Sequence, residues 1–126
     1  MPGPAKIFET IIEDDVLIIV PYGPARNFPY REVHMAANDV LKQALENVRI
    51  RNIIADVRNV SAIDSVMMDC LLRVLTLAKR RNGVAGFCNV PQTIRDALVR
   101  ARMGEVWAEF SSREEALRQL RQNAAQ

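Results

Sequence analysis

Histidine and tryptophan occur once each in this 126-residue chain, and cysteine only twice. Those scarcities exclude most site chemistry at once. A structural or catalytic metal needs three or four His, Cys, Asp or Glu donors at close spacing, and a lone His34 far from Cys70 and Cys88 does not supply them. Five glycines and six prolines are too few for collagen-like or low-complexity chains. Gly23, Gly83 and Gly104 stand apart from one another, so no glycine-rich phosphate loop is present and no cofactor is expected. Long apolar runs are missing too. The longest, Val16 to Pro21, falls far short of the roughly 18 residues a membrane span requires. The opening MPGPAKIFE holds no hydrophobic stretch of the kind a signal peptide uses. Both cysteines lie inside apolar runs and read as buried, reduced thiols. A cytoplasmic protein without direct membrane insertion is therefore expected.

What is plentiful is core. Hydrophobic residues make up 49% of the chain and charged residues 25%, a balance that supports one packed domain over residues 1–126, with its core from about 7 to 120. The formal net charge of +2 is too small to make nucleic acid or anionic lipid the default partner. The charge is nevertheless uneven. Residues 1–72 carry seven basic and ten acidic groups, whereas residues 73–126 carry ten basic and five acidic. Such a split either polarises the surface or cancels as the two parts interleave.

Hydrophobic spacing gives the order of elements. Ile7–Ile12 and Val16–Val20 are β-branched runs parted by Glu13, Asp14 and Asp15, which reads as a hairpin with the first run at a sheet edge. Val16–Val20 is apolar without alternation, the pattern of a strand buried on both faces and ended by Pro21. A loop with three prolines leads to a helix from Pro29 or Tyr30 to Val48, whose apolar stripe is Val33, Ala36, Ala37, Val40, Leu41, Ala44, Leu45 and Val48. Asn52–Val57 is a strand, and a second helix spans Ser65–Arg81, stopped by Asn82-Gly83 as a left-handed cap. Val84–Val90 is strand-like. Pro91 opens a helix to about Met103 that Gly104 closes, Glu105–Phe110 forms a last short strand, and Ser111 and Ser112 open a final helix to about Asn123 at capping-box spacing from Glu114 and Glu115. The order ββαβαβαβα predicts an α/β layered fold with a mostly parallel central sheet flanked by helices.

One junction stands out as a site. Asp64 or Ser65 precedes a strongly apolar helix and can cap it, accepting a hydrogen bond from an unpaired amide. A serine hydroxyl in that position is also well placed to carry phosphate, because the open N–H groups and the helix dipole stabilise added negative charge. Val66 and Met67 exceed what one core-facing stripe needs, and read either as a protein contact surface or as extra core. A hydrolase of Ser65, His34 and an aspartate is disfavoured, since Ser65 is not in a Gly-x-Ser-x-Gly elbow. Arg95, Arg100 and Arg102 alternate with apolar residues and no aromatic is interleaved, which describes a solvated helix face and not a nucleic-acid surface. Trp107 reads as a packing anchor.

The element order, the segment from Ile53 to Ser65, the long helix that follows, the Asn82-Gly83 turn and the Pro91 helix together resemble the STAS domain, the family of bacterial anti-sigma-factor antagonists. The likeness runs from about Ile7 to Leu120. It implies a non-enzymatic binding module whose partner is an anti-sigma factor or a serine kinase of the switch-kinase type. Phosphorylation at Ser65 would expel that partner. By the same resemblance, Asp64, Ser65, Val66 and Met67, with the loop residues Arg58, Asn59, Arg26 and Asn27, form the partner-binding surface. The common family motif continues Asp-Ser-Ser-Gly, whereas this chain has Asp64-Ser65-Val66-Met67. The loop before the first helix, in which the family often carries an acid, here carries Arg26. Those departures point to an alternative: a stressosome-like scaffold that binds other STAS proteins or itself, or a STAS accessory subunit of a membrane transport complex, in either case without a phospho-switch.

Overall fold

Val16 to Pro21 are buried at every position, and the rest of the molecule is assembled around that strand. The computed structural model describes residues 6–23, 25–100 and 107–124. Strand β1 (Phe8–Glu13) turns through Asp14 and Asp15 into β2 (Val16–Pro21), and the two pair antiparallel with Phe8 opposite Pro21 and Glu13 opposite Val16. Asp14 sits at φ 54°, the left-handed conformation that aspartate tolerates through its short polar side chain. Pro21 is the last residue of the strand and not the first beyond it. A proline fits there because the bond to β1 at this end is donated by the next amide, Tyr22, to the Ile7 carbonyl at 3.0 Å, while the pairing with β3 ends at Ile19.

A 3-10 turn at Ala25–Asn27 leads into helix α1 (Tyr30–Glu46). Then follow β3 (Asn52–Asp56), α2 (Ser65–Arg80), β4 (Ala85–Cys88), α3 (Gln92–Arg100), β5 (Ala108–Phe110) and α4 (Arg113–Ala124). The sheet order is β1-β2-β3-β4-β5, with every pair after the hairpin parallel. The α/β order expected from the sequence is the one observed.

Each face of the sheet has its own core. On one side Val33, Ala37 and Val40 of α1, Met67, Leu71 and Leu75 of α2, and Ile94 and Leu98 of α3 pack on Leu17, Ile19, Ile53, Ala55 and Phe87. On the other, Ala116 and Leu120 of α4 cover Ile18, Val20, Ile54, Cys88 and Phe110. Strands covered on both faces need no polar alternation, which is why the sequence of β2 shows none. Burying a Leu, Ile or Val side chain contributes about 1.5–3 kcal/mol, so these two layers dominate the stability of the domain.

Element ends differ from the sequence expectation where a local constraint intervenes. Helix α1 stops at Glu46, and Val48 lies beyond it, 84% exposed; the apolar stripe therefore ends before Val48. Strand β4 is shorter than Val84–Val90 because Asn89 turns to φ 53° and leaves the extended region. The expected helix end at Met103, its Gly104 stop and the strand start at Glu105 fall on residues outside the described ones. Trp107 packs on the larger core, with Lys79 Nζ 5.4 Å from its ring centre, a cation–π contact between α2 and the approach to β5.

The end of the sheet remote from Ser65 is tightly stapled. Arg81, just past α2, donates from its guanidinium to the carbonyls of Ile50 at 2.6 Å, Asn47 at 3.1 Å and Leu45 at 3.3 Å. The left-handed residue of the α2 cap is Asn82, at φ 59°. Gly83 serves a different need: a Cβ there would lie 1.8 Å from the Arg51 carbonyl oxygen.

Charge asymmetry along the sequence resolves into contacts between the two parts. Asp56 pairs with Arg113, and Arg121 lies 3.7 Å from Glu13 and 3.9 Å from Asp14. Acidic residues of the first part and basic residues of the second are interleaved by the fold.

Candidate protein-interaction site

In an open α/β sheet the carboxyl ends of the parallel strands gather the loops that vary in function. Here that end holds the loop after β2, the loop from β3 to α2, and the N-termini of α1 and α2. Two hydrogen bonds join the first two loops: the Gly23 amide donates to the Asn59 carbonyl at 3.2 Å, and the Arg26 amide donates to Asp64 Oδ2 at 3.0 Å.

Asp64 is the hub. Its other oxygen accepts from the Met67 amide at 2.9 Å, and its carbonyl accepts from the Met68 amide at 2.9 Å. The carboxylate thus caps α2 and holds the 3-10 turn at the same time, which uses both of its oxygens. Ser65 follows as the first residue of α2 and is exposed. With Met67 and Met68 engaged, the amides of Ser65 and Val66 remain outside the helix's own bonding. A group attached to the Ser65 hydroxyl would meet the positive end of the α2 dipole and, beside it, the Asp64 carboxylate.

The structure places the other expected residues as follows. Arg26, Asn27 and Asn59 are exposed. Arg58 is half-exposed, but its guanidinium turns back onto Asp56, with Nη2 3.1 Å from Oδ2. Val66 is partly buried against the core. Met67 is 0% exposed and is corrected here from contact residue to core residue, because the turn that sets Ser65 outward sets Met67 toward the sheet. The apolar excess at the start of α2 is therefore resolved as core at Met67. His34 lies 3.1 Å, through Nδ1, from the Arg73 guanidinium, and no hydrogen bond joins it to Ser65, so no Ser-His pair is assembled there. Among the described residues no cluster of three His, Cys, Asp or Glu side chains could hold a metal ion. No helix among them is long and apolar enough to cross a membrane.

Two features were not read from the sequence. The first is Asp56, the only acid in the apolar run of β3, whose carboxylate is 0% exposed. It accepts from Arg58, from Asn89 Nδ2 at 3.1 Å and from Arg113 Nη2 at 2.9 Å. Burial pushes its carboxyl up, but the hydrogen bonds from Arg58, Asn89 and Arg113 outweigh that and hold it below the usual carboxylate range. An acid ending an otherwise wholly buried strand was the available sequence clue, since such a residue demands partners. The second is Tyr30, 68% exposed at the start of α1, its ring centre 4.3 Å from that of His34.

The STAS domain family model matches residues 31–116. No curated protein matches the sequence. Among solved structures, the Thermotoga maritima protein TM1081 superposes with a TM-score of 0.76 at 19% identity, covering 90% of this chain and 94% of that one. The Bacillus anti-sigma factor antagonist SpoIIAA, solved unphosphorylated, gives 0.72 at 17% identity over 90% and 96%, and it has also been solved phosphorylated. A sulfate transporter family protein from Wolinella succinogenes gives 0.71 at 19% identity over 92% and 93%. At these identities the likeness is one of fold.

Proposed function

The chain belongs to the STAS domain family, and from that premise we propose that it is a non-enzymatic regulatory module that binds an anti-sigma factor or a switch-type serine kinase through the Ser65 end of α2. The observation that carries this reading is the exposed Ser65 directly after a cap, Asp64, that ties two loops together. Phosphate on Ser65 would bring about −1.5 to −2 charges against Asp64 and compete with it for the first-turn amides. Losing Asp64 from its cap would also release the Arg26 amide, so one modification alters both the charge and the shape of the surface. Ser65, Asn59, Asn27, Arg26 and the exposed part of Arg58 supply the polar contact area, with Val66 at its apolar margin.

The test is affinity capture from the native cytoplasm with wild type, Ser65→Ala and Ser65→Asp baits, with phosphopeptide mapping of the wild type. Capture of a kinase-like or sigma-regulating partner by wild type and Ser65→Ala, but not by Ser65→Asp, is expected. Identical partners on all three baits would overturn the switch. That result would instead favour an accessory subunit of a membrane transport complex, the reading supported by the sulfate transporter family neighbour.

A further inference from the structure

We propose that the outer edge of β1 is a docking edge for an extended segment of a different protein, one that alternates apolar side chains with lysine or arginine and adds to the sheet as a further strand. β1 ends the sheet order, so among the described residues no strand lies on its far side. The register shows which backbone groups are left over. The Tyr22 amide donates to the Ile7 carbonyl at 3.0 Å, which makes Ile7 and Tyr22 a hydrogen-bonded pair of the antiparallel ladder. Such pairs alternate with non-bonded ones, so Glu9 with Val20, Ile11 with Ile18 and Glu13 with Val16 carry the rest of the ladder. The pair Glu13 and Val16 closes the two-residue turn at Asp14 and Asp15. Phe8, Thr10 and Ile12 therefore aim their N–H and C=O groups away from β2, and no backbone hydrogen bond among the described residues reaches them from outside. Spaced about 6.8 Å apart, these groups match the repeat of an incoming strand.

The side chains along the edge select the occupant. Phe8, Thr10 and Ile12 stand opposite Pro21, Ile19 and Leu17, on the face that α1 covers. Phe8 packs on the larger core and Ile12 is 40% exposed, so an incoming strand meets apolar neighbours on that face. Glu9, Ile11 and Glu13 lie on the α4 face. There the Tyr22 hydroxyl donates to Glu9 at 3.4 Å, and Arg121 is 3.7 Å from Glu13 and 3.9 Å from Asp14. Glu9 has no ion pair among the described residues. The surrounding charges do not reverse this. On α1, Gln43 accepts from the Thr10 hydroxyl at 3.2 Å, and Asp39, Lys42, Glu46 and Arg49 line the same groove as Gln43, with Lys42 4.0 Å from Glu46. With Lys6 before β1 and Asp14 and Asp15 in its turn, four cations stand against six acids around the edge. Basic side chains on the α4 face of an added strand would meet Glu9 and Glu13 as cross-strand pairs. A second copy's β1 would instead lay further glutamates on that face, where like charges oppose pairing.

This edge is built without Ser65, and the two readings fail separately. The probe is a capped peptide of alternating lysine and valine, about six residues long, added to the full chain while amide exchange is followed residue by residue by NMR. A dissociation constant below about 1 mM is expected. With peptide at about ten times that constant, the Phe8, Thr10 and Ile12 amides should exchange about tenfold more slowly. Glu9, Ile11 and Glu13, already bonded to β2, should not change. A peptide with glutamate in place of lysine, and the lysine peptide on Glu9→Gln combined with Glu13→Gln, should each bind about tenfold more weakly. Thr10→Pro removes one outward N–H and leaves the ladder bonds of Glu9 and Ile11 in place, so it should abolish binding while keeping the circular dichroism of wild type. Should Thr10→Pro not fold, the alternating protection in wild type decides. No binding at about 1 mM peptide would overturn the proposal. So would protection on consecutive amides or away from β1, a glutamate peptide as tight as the lysine one, or a folded Thr10→Pro that still binds. Ser65→Asp should leave the peptide bound, and its release by that change would place it on the Ser65 surface and sink the edge site.

Discussion

The amide of Arg26 donates to Asp64 Oδ2 at 3.0 Å across thirty-eight residues of chain, while Oδ1 of the same carboxylate caps α2 through Met67 at 2.9 Å. A cap that is also a tether makes the position of one loop depend on the start of the next helix. Asp64→Ala should therefore cost more than the roughly 1 kcal/mol of an ordinary cap, and about 2 kcal/mol is expected in urea unfolding. Asp64→Asn keeps one acceptor oxygen and should recover about half of that. Equal losses for the two variants would show that the Arg26 contact depends on charge and not on an acceptor.

Stability should fall in acid because of Asp56. Its carboxyl is lowered in the folded chain, so its contribution is complete above the unfolded value of about 3.9 and is lost as the pH falls below that, through the folded value. Urea midpoints measured between pH 7 and pH 3 should decline at the acid end. Asp56→Asn should flatten that decline and, at pH 7, cost about 2 kcal/mol, since Arg113 and Arg58 lose their partner but retain access to water.

Neither cysteine should react in the native protein. Burial, and then the nearby Asp56 charge, pushes the Cys88 thiol up to about 12, and burial raises that of Cys70. Since the thiolate is the reactive form, a chromogenic disulfide reagent at pH 8 should label neither within the time that labels both in urea. Rapid native labelling of Cys88 would show that the α4 face opens readily.

Asn82 and Gly83 should respond oppositely to exchange. Asn82→Gly preserves the left-handed cap and should change stability by less than about 0.5 kcal/mol. Gly83→Ala forces a Cβ against the Arg51 carbonyl, where 1.8 Å is available, and should cost about 2 kcal/mol or more, read as a lowered thermal midpoint.

The sequence made the element order legible because each helix carries an apolar stripe and each buried strand an unbroken apolar run. Element ends were less visible where backbone conformation decided them: nothing in the periodicity marks the left-handed turn at Asn89 that ends β4, or the end of α1 before Val48. At the candidate site, Asp64 as a cap followed from local spacing, since helix capping joins residues three apart. Its bond to Arg26 and the Asp56–Arg113 pair join residues 38 and 57 apart, distances at which one sequence holds no pattern. Met67 was misread because hydrophobicity is shared by contact surfaces and cores, and only the turn of the helix separates them.

Arg81 grips three carbonyls at the end of the sheet farthest from Ser65, and with Gly83 it fixes where α2 hands over to β4. A descendant of this gene can lengthen, shorten or recharge the loops around Asp64 without disturbing that anchor. What the protein recognises and whether it folds are thus inherited through separate sets of positions, and a new partner can be acquired without relearning the fold.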